Sequence, residues 1–352
     1  MSSTNISRLA QDTPFVRVHR LGGFAFGTAL DVLLCAFGLA PAYAHHGVAG
    51  VGSAAFEGPG APIESATSTV LPDNVKLLYI KLDHANYETF TSEEDGEAEF
   101  AQFWILGAGY GFTSWLSGYA FFPYNLKEDE DNGGFDTRGF TDIAPFLQLG
   151  FKYDEGLKLI PPNESADDLE DWHFTIFTGT SIPTGEPNLR DSAGEINPSR
   201  ALGFGKPTFT LGLTATKLLT PQLTFNLEIS GLKFFDYEYD DGNRTQFGDE
   251  IRINPSLFYR AYTNPERKLR VDVGAELQYL HLERDRFNGE RQEATGGDIY
   301  YALPGVRLFY DRVSVAFGIK VPIAEDLNEE ELQQGGEGLE DYRVILSASY
   351  LF

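Results

Sequence analysis

The stretch Tyr342-Arg343-Val344-Ile345-Leu346-Ser347-Ala348-Ser349-Tyr350-Leu351-Phe352 decides the fold. Tyr342, Val344, Leu346, Ala348, Tyr350 and Phe352 share one parity. Arg343, Ser347 and Ser349 share the other, with Ile345 and Leu351. Successive side chains of a strand point to opposite faces, so one face here is oily and the other mixed. What the oily face meets, a packed core or lipid, separates a soluble β-protein from a membrane barrel.

The same period recurs along the chain. Leu223, Phe225, Leu227 and Ile229 alternate with Thr224, Asn226, Glu228 and Ser230. Leu269, Val271, Val273, Ala275, Leu277 and Tyr279 alternate with Arg270, Asp272, Glu276 and Gln278. Twelve such segments are read, near 74–88, 99–112, 115–126, 139–154, 171–182, 206–218, 221–236, 249–263, 267–284, 296–310, 312–323 and 340–352. Many exceed the roughly 5–6 residues usual in soluble sheets and match the roughly 9–11 that a tilted strand needs to cross a bilayer.

The links sort into two kinds. Thr113-Ser114, Leu219-Thr220, Asn264-Pro265-Glu266 and Asp311 are tight, whereas 89–98, 127–138, 183–205, 237–248, 285–295 and 324–339 are long and polar. Short turns at one end and long loops at the other predict an all-β, transmembrane, antiparallel up-and-down barrel of about 12 strands over 73–352. The link 155–170 departs from the pattern, being long where a turn is expected. Tyr350, Phe352, Tyr259, Tyr279, Trp172 and Trp115 are expected at the lipid–water boundaries. A soluble sandwich would also alternate, but it would bury the oily parity in a core and use shorter strands.

Residues 1–44 read as an export signal. Arg8, Arg17 and Arg20 precede the mostly apolar Leu21–Leu39, which Asp31 interrupts, and Ala42-Tyr43-Ala44 offers a small-x-small cleavage site. The sole cysteine, Cys35, lies inside this segment with Leu34 before it, which argues against a lipid anchor. A mature chain would therefore hold no disulfide, thiolate metal site or cysteine nucleophile. Residues 45–72 are rich in Gly, Ala, Ser and Pro and show no strand or helix period. They are expected to form a flexible segment that stays in the periplasm or plugs the lumen.

The whole chain carries 27 basic and 52 acidic residues, a net charge of −25. Loss of 1–44 leaves 24 basic against 50 acidic, or −26. Such a balance excludes nucleic acid as a partner, because phosphates require Lys and Arg. Acid concentrates in the long links, at Glu93-Glu94-Asp95, Glu128-Asp129-Glu130-Asp131, Asp240-Asp241 and Glu329-Glu330-Glu331. Two readings fit: a mouth that gathers cations, or a solvated surface bridged to lipopolysaccharide by divalent ions. The expected partners are outer-membrane lipid, lipopolysaccharide and a small-molecule solute.

Inward positions carry both signs: Asp142, Lys152, Glu228, Arg252, Arg260, Arg270, Asp272, Glu276, Arg307, Lys320 and Arg343. In a water-filled lumen they would set up a transverse field; in a packed one they would pair. No cofactor is required by the sequence. A processed N-terminus at His45-His46 would nevertheless offer nitrogen donors suited to Cu(II) or another divalent cation. His173-x-Thr175 places an imidazole and a hydroxyl on one face, but no orienting third group is evident, and His84 and His281 stand alone. An enzyme is not expected.

Short motifs add a resemblance. Thr178-Gly-Thr-Ser-Ile-Pro-Thr-Gly-Glu186 ends a strand in Pro-Thr-Gly-Glu; Gly139-Phe140-Thr141-Asp142 and Gly296-Gly297-Asp298 each open one. With a terminal strand ending in Phe, as in the assembly signal of Gram-negative outer-membrane barrels, the pattern resembles the outer-membrane family associated with meta-pathway phenol degradation. That resemblance implies transport of small compounds, with aromatic ones as one option, across the outer membrane, and it fixes no substrate. Two functions are carried forward: a channel for passive or gated passage of small solutes, aromatic or cationic, and a non-transport barrel that binds ions or partners at its surface.

Overall fold

The structure is a computed structural model, and it describes residues 58, 60–87, 98–129, 136–162, 164, 168–190, 194–328 and 340–352. The export segment with Cys35, the His45-His46 pair, and the acidic runs 93–95, 130–131 and 329–331 lie outside the described residues.

Twelve strands close an antiparallel ring. They are β1 (Lys76–Tyr87), β2 (Ala98–Thr113), β3 (Leu116–Asp129), β4 (Ala144–Tyr153), β5 (Trp172–Thr180), β6 (Phe209–Thr220), β7 (Leu223–Lys233), β8 (Glu250–Asn264), β9 (Leu269–Leu282), β10 (Gly297–Tyr310), β11 (Val313–Leu327) and β12 (Glu340–Leu351). Each pairs with its sequence neighbours, and β1 pairs β12 from Leu77↔Leu351 to Tyr87↔Glu340. Lys76 and Phe352 exchange backbone hydrogen bonds of 2.9 and 3.0 Å, which seals the seam at the short-turn end. Closure pairs each of the twelve strands on both sides, the condition for backbone in hydrocarbon.

Alternation decides which side chains face out. Leu78, Leu106, Leu147, Leu213, Ile253, Leu257, Leu277 and Phe317 are exposed on the outer wall, although all are large and apolar. A soluble protein would bury them, and a bilayer solvates them. Phe112, Tyr153, Tyr262, Tyr310 and Tyr350 ring the short-turn end, with Tyr259 and Phe352 exposed there too; Phe140, Tyr300 and Tyr342 mark the loop end.

One expectation needs correction. The segment 139–154 is not one continuous strand. A short piece, Thr137–Phe140, pairs β3 at Tyr124↔Phe140, and β4 resumes at Phe121↔Ala144. Between them Asp142 turns inward to serve the loop end, and Pro145 supplies no N–H, so the β4–β5 ladder begins at Phe146↔Gly179. Prolines mark other gaps: the β8–β9 register skips Asn254 and Pro255, and β10–β11 skips Leu303 and Pro304. The long link after β4, the departure from the turn pattern noted in the sequence, has structure of its own. Leu157–Leu159 folds back on Phe151–Tyr153, and the chain then carries Glu164 under the barrel floor.

At the loop end Tyr237–Glu238, Arg244–Gln246, Arg286–Phe287 and Glu290–Arg291 form a separate four-stranded sheet.

Candidate functional site: the occupied lumen

The barrel interior is filled. Residues 60–72 run inside it, and all but Pro72 are buried. This segment has no ladder of its own. Its backbone groups are instead met by side chains of the inner wall, as buried polar groups require.

The contacts trace an arch. Near the short-turn end Gly60 donates its N–H to Asp272 Oδ2 at 2.8 Å and accepts from Asn226 at 3.0 Å. Arg307 donates to the Pro62 carbonyl. At mid-height one carboxylate, Glu276, accepts the N–H groups of Ile63, Glu64 (2.9 Å) and Ser65 (3.0 Å) and the Ser65 hydroxyl. Ala66 donates to Glu228 Oε2 at 2.6 Å, and Gln148 to the Thr67 carbonyl at 2.9 Å. The descending limb binds Thr216 through Ser68 N–H (3.0 Å), Thr214 through the Ser68 hydroxyl (2.7 Å) and Ser117 through Leu71 N–H (2.8 Å).

Small residues make the space. A Cβ on Gly305 would come within 2.6 Å of Ile63, and one on Gly150 within 2.4 Å of Val70. Ile63 then packs with Phe258, Leu303, Ala316 and Ile345, which explains why an apolar Ile345 stands on the inward parity.

Glu64 is the apex and the only charged residue of 60–72. Lys320 Nζ lies 3.1 Å from Oε2, Lys81 Nζ 3.8 Å from Oε1, and Gln278 donates at 3.1 Å. Burial alone would raise this carboxyl; the nearby ammoniums of Lys320 and Lys81 and guanidiniums of Arg343 and Arg252 outweigh it and hold Glu64 well below the usual carboxylate range.

The remaining charges mostly pair along their own walls. Arg270 meets Asp272 at 2.6 Å, Arg252 meets Glu250 at 2.6 Å, and Arg343 meets Asp83 at 3.3 Å and Glu340. Asp83 also lies 3.5 Å from Lys81. Arg260 sits partly buried near the short-turn end of β8, opposite Asp272 in the β8–β9 register. Of the inward residues expected from sequence, Glu228, Asp272, Glu276, Arg307 and Lys320 touch the arch directly. Two lie apart from it. Lys152 joins Glu164 (2.6 Å) and Asp171 (3.3 Å) at the barrel floor. Asp142 lies at the loop end, where it accepts N–H groups of Gly185 (2.9 Å) and Phe204 (3.0 Å) and draws loop 181–208 into the mouth; burial raises its carboxyl against those bonds.

Part of the wall is aromatic. Tyr79, Phe103, Tyr119, Phe121, Phe146 and Phe177 face inward from β1–β5. Above them Phe204, Phe234 and Phe247 meet edge to face, with ring centroids 4.9–5.9 Å apart.

Cavities lie at the floor and on the outer wall. One of about 290 Å³ lies at the floor between Ser68–Val70, Ile160–Pro162, Glu164 and His173. The other, of about 580 Å³, opens on the outer wall between β2 and β6 and is lined by Phe112, Gly118, Pro145, Leu147, Gly179 and Phe209. His173 bonds Glu164 Oε1 (3.1 Å) and the Asp171 carbonyl, while Thr175 bonds Thr214, so the imidazole and hydroxyl do not engage each other. His281 contacts Asp298 at 2.8 Å; His84 packs on Phe100.

Sequence reading missed Glu64, Lys81, Asp83, Glu250 and Glu340. Lys81 and Asp83 were legible, since they fall on the inward parity of β1. Glu64 was not, because nothing in an aperiodic segment fixes where a side chain points.

No family model matches this sequence, and no curated protein does. Among solved structures, the COG4313 outer-membrane channel from Pseudomonas putida F1 superposes with a TM-score of 0.63 at 13% identity, covering 83% of this chain and 100% of that one. The NanC porin gives 0.44 at 9% identity (78% and 98% covered), and the CymD monoaromatic hydrocarbon channel 0.38 at 10% (80% and 88%). The chain has the fold of outer-membrane barrels.

Proposed function

We propose that the protein is an outer-membrane channel whose passage is gated by its own N-terminal segment, with the short turns in the periplasm and the long loops outside. The observation that carries this is how the arch is held. Its amides bond to wall side chains rather than to a strand. It can therefore leave without breaking one rung of the barrel ladder. The inward rings of the lumen favour small solutes with a ring or other apolar body over sugars. The fold shared with a bacterial outer-membrane channel is consistent with this reading.

A second reading, a non-transport barrel, draws on the self-paired wall charges, Arg252–Glu250 and Arg343–Glu340, which need no solute. Planar-bilayer recording separates the two. The channel reading expects small, intermittent conductance from the full chain and a steady, several-fold larger one after deletion of 58–72. Equal silence from both proteins, each shown to be folded and inserted, would favour the structural barrel.

A further inference from the structure

The cationic site that Glu64 fills is unevenly matched. Four cations act on Glu64: Lys320, Lys81, Arg343 and Arg252. Wall carboxylates already serve three of them, Asp83 on Lys81 and Arg343, and Glu250 on Arg252. Lys320 has Glu64 as its only salt-bridge partner among the described residues. Pull the arch away, and the ammonium that it covers loses its carboxylate. Left facing the lumen without an ion-pair partner, that cation attracts a replacement anion.

The surroundings say what kind. Lys320 Nζ lies 4.3 Å from the centre of the Tyr301 ring, and the Arg343 guanidinium 5.8 Å from that of Phe103. Gln278 stands ready to donate to the same oxygen that Lys320 holds. Cations flanked by aromatic faces suit a carboxylate carried on a flat apolar body.

We propose that Lys320, Lys81 and Gln278 form a binding site for small aromatic carboxylates, and that Glu64 is a tethered occupant which such a ligand displaces. This rests on the gated-channel reading and names its substrate class. Glu64 occupies the site as a substrate carboxylate would, and being part of the chain it is present at high effective concentration. An arriving carboxylate exchanges one ion pair for another, which keeps the buried charge balanced while the arch apex is freed.

The test is calorimetric titration of the detergent-solubilised full chain with benzoate, with benzamide as the neutral isostere. Glu64→Gln removes the tethered competitor and should bind benzoate about tenfold or more tightly than the unsubstituted protein. Lys320→Met in the Glu64→Gln background should weaken it by about tenfold or more, the scale of a lost hydrogen bond to a charged group. Heat-modifiable gel migration confirms that each variant is a folded barrel. Should Lys320→Met fail to fold, Lys81→Met takes its place. Benzoate bound no better than benzamide, or equally by the unsubstituted and Glu64→Gln proteins, overturns the proposal. The binding readout is independent of conductance. Benzoate affinity in a barrel that never conducts would sink the channel reading alone; conductance indifferent to benzoate, without binding, would sink the site alone.

Discussion

Glu64 is one carboxylate in a segment otherwise free of charge, and its environment sets a sign that can be measured. A carboxyl held well below about 4.5 in the closed state regains its ordinary value when the arch is free in water. The closed state is therefore favoured by this group at every pH above that ordinary value, and the advantage is lost as pH falls through the lowered one. Channel opening should be flat in Glu64-dependent terms from pH 8 to 5 and should rise only below about pH 4.5. Glu64→Gln should open more at neutral pH and lose that acid-induced rise. An unchanged acid limb in the variant, recorded in the same bilayers, would assign the response to other groups. Glu276 complements Glu64 without resembling it, since it belongs to the wall and accepts three consecutive amides of the arch and a hydroxyl. Both roles follow from the same rule, that a buried charge must be met by opposite charge or by donors.

Each strand records two solvents in alternate residues. In β8, Leu257 faces out and is 46% exposed, while Ser256 and Phe258 on either side are buried inside. Leu257→Arg places a guanidinium in hydrocarbon near mid-strand and should cost about 2–4 kcal/mol. Ser256→Ala, on the lumen face, should cost well under half of that. Urea unfolding of the barrel in lipid vesicles measures both, and equal losses would mean that the outer face does not meet lipid. Alternation, strand length and the two kinds of link made all twelve strands legible in the sequence. The break at 141–143 was not, because a turned-in Asp142 that binds Gly185 and Phe204 depends on a loop 43 and 62 residues away. The floor link was flagged only as an irregularity; its reason, Glu164 reaching Lys152 and His173, is tertiary. Inward charges were readable from parity, and same-strand pairs such as Arg270–Asp272 and Arg252–Glu250 follow from it; the contacts with the arch were not readable, since a neighbour inside the lumen leaves no trace in local sequence.

As a whole, the molecule is a closed wall around an arch that the same chain provides. The wall is held by a continuous ladder and the arch by side chains, so the two can part company. Gly305 and Gly150 fit this division: each leaves out the Cβ that would strike Ile63 or Val70. Aromatic rings crowd the mouth and part of the wall, and they meet the charges where Lys320 faces Tyr301 and Arg343 faces Phe103, beside Glu64 and beneath the aromatic mouth.

Locking the arch to the wall tests this division most directly. Ser68 and Thr214 touch through their hydroxyls at 2.7 Å, on the arch and on β6. With the single native cysteine, Cys35, replaced by Ser, the pair Ser68→Cys and Thr214→Cys can be oxidised to a disulfide and reduced again in the bilayer. A silent oxidised channel that conducts after reduction is the predicted result. Identical conductance before and after reduction, with the cross-link verified by mass spectrometry, would contradict a mobile arch as the gate.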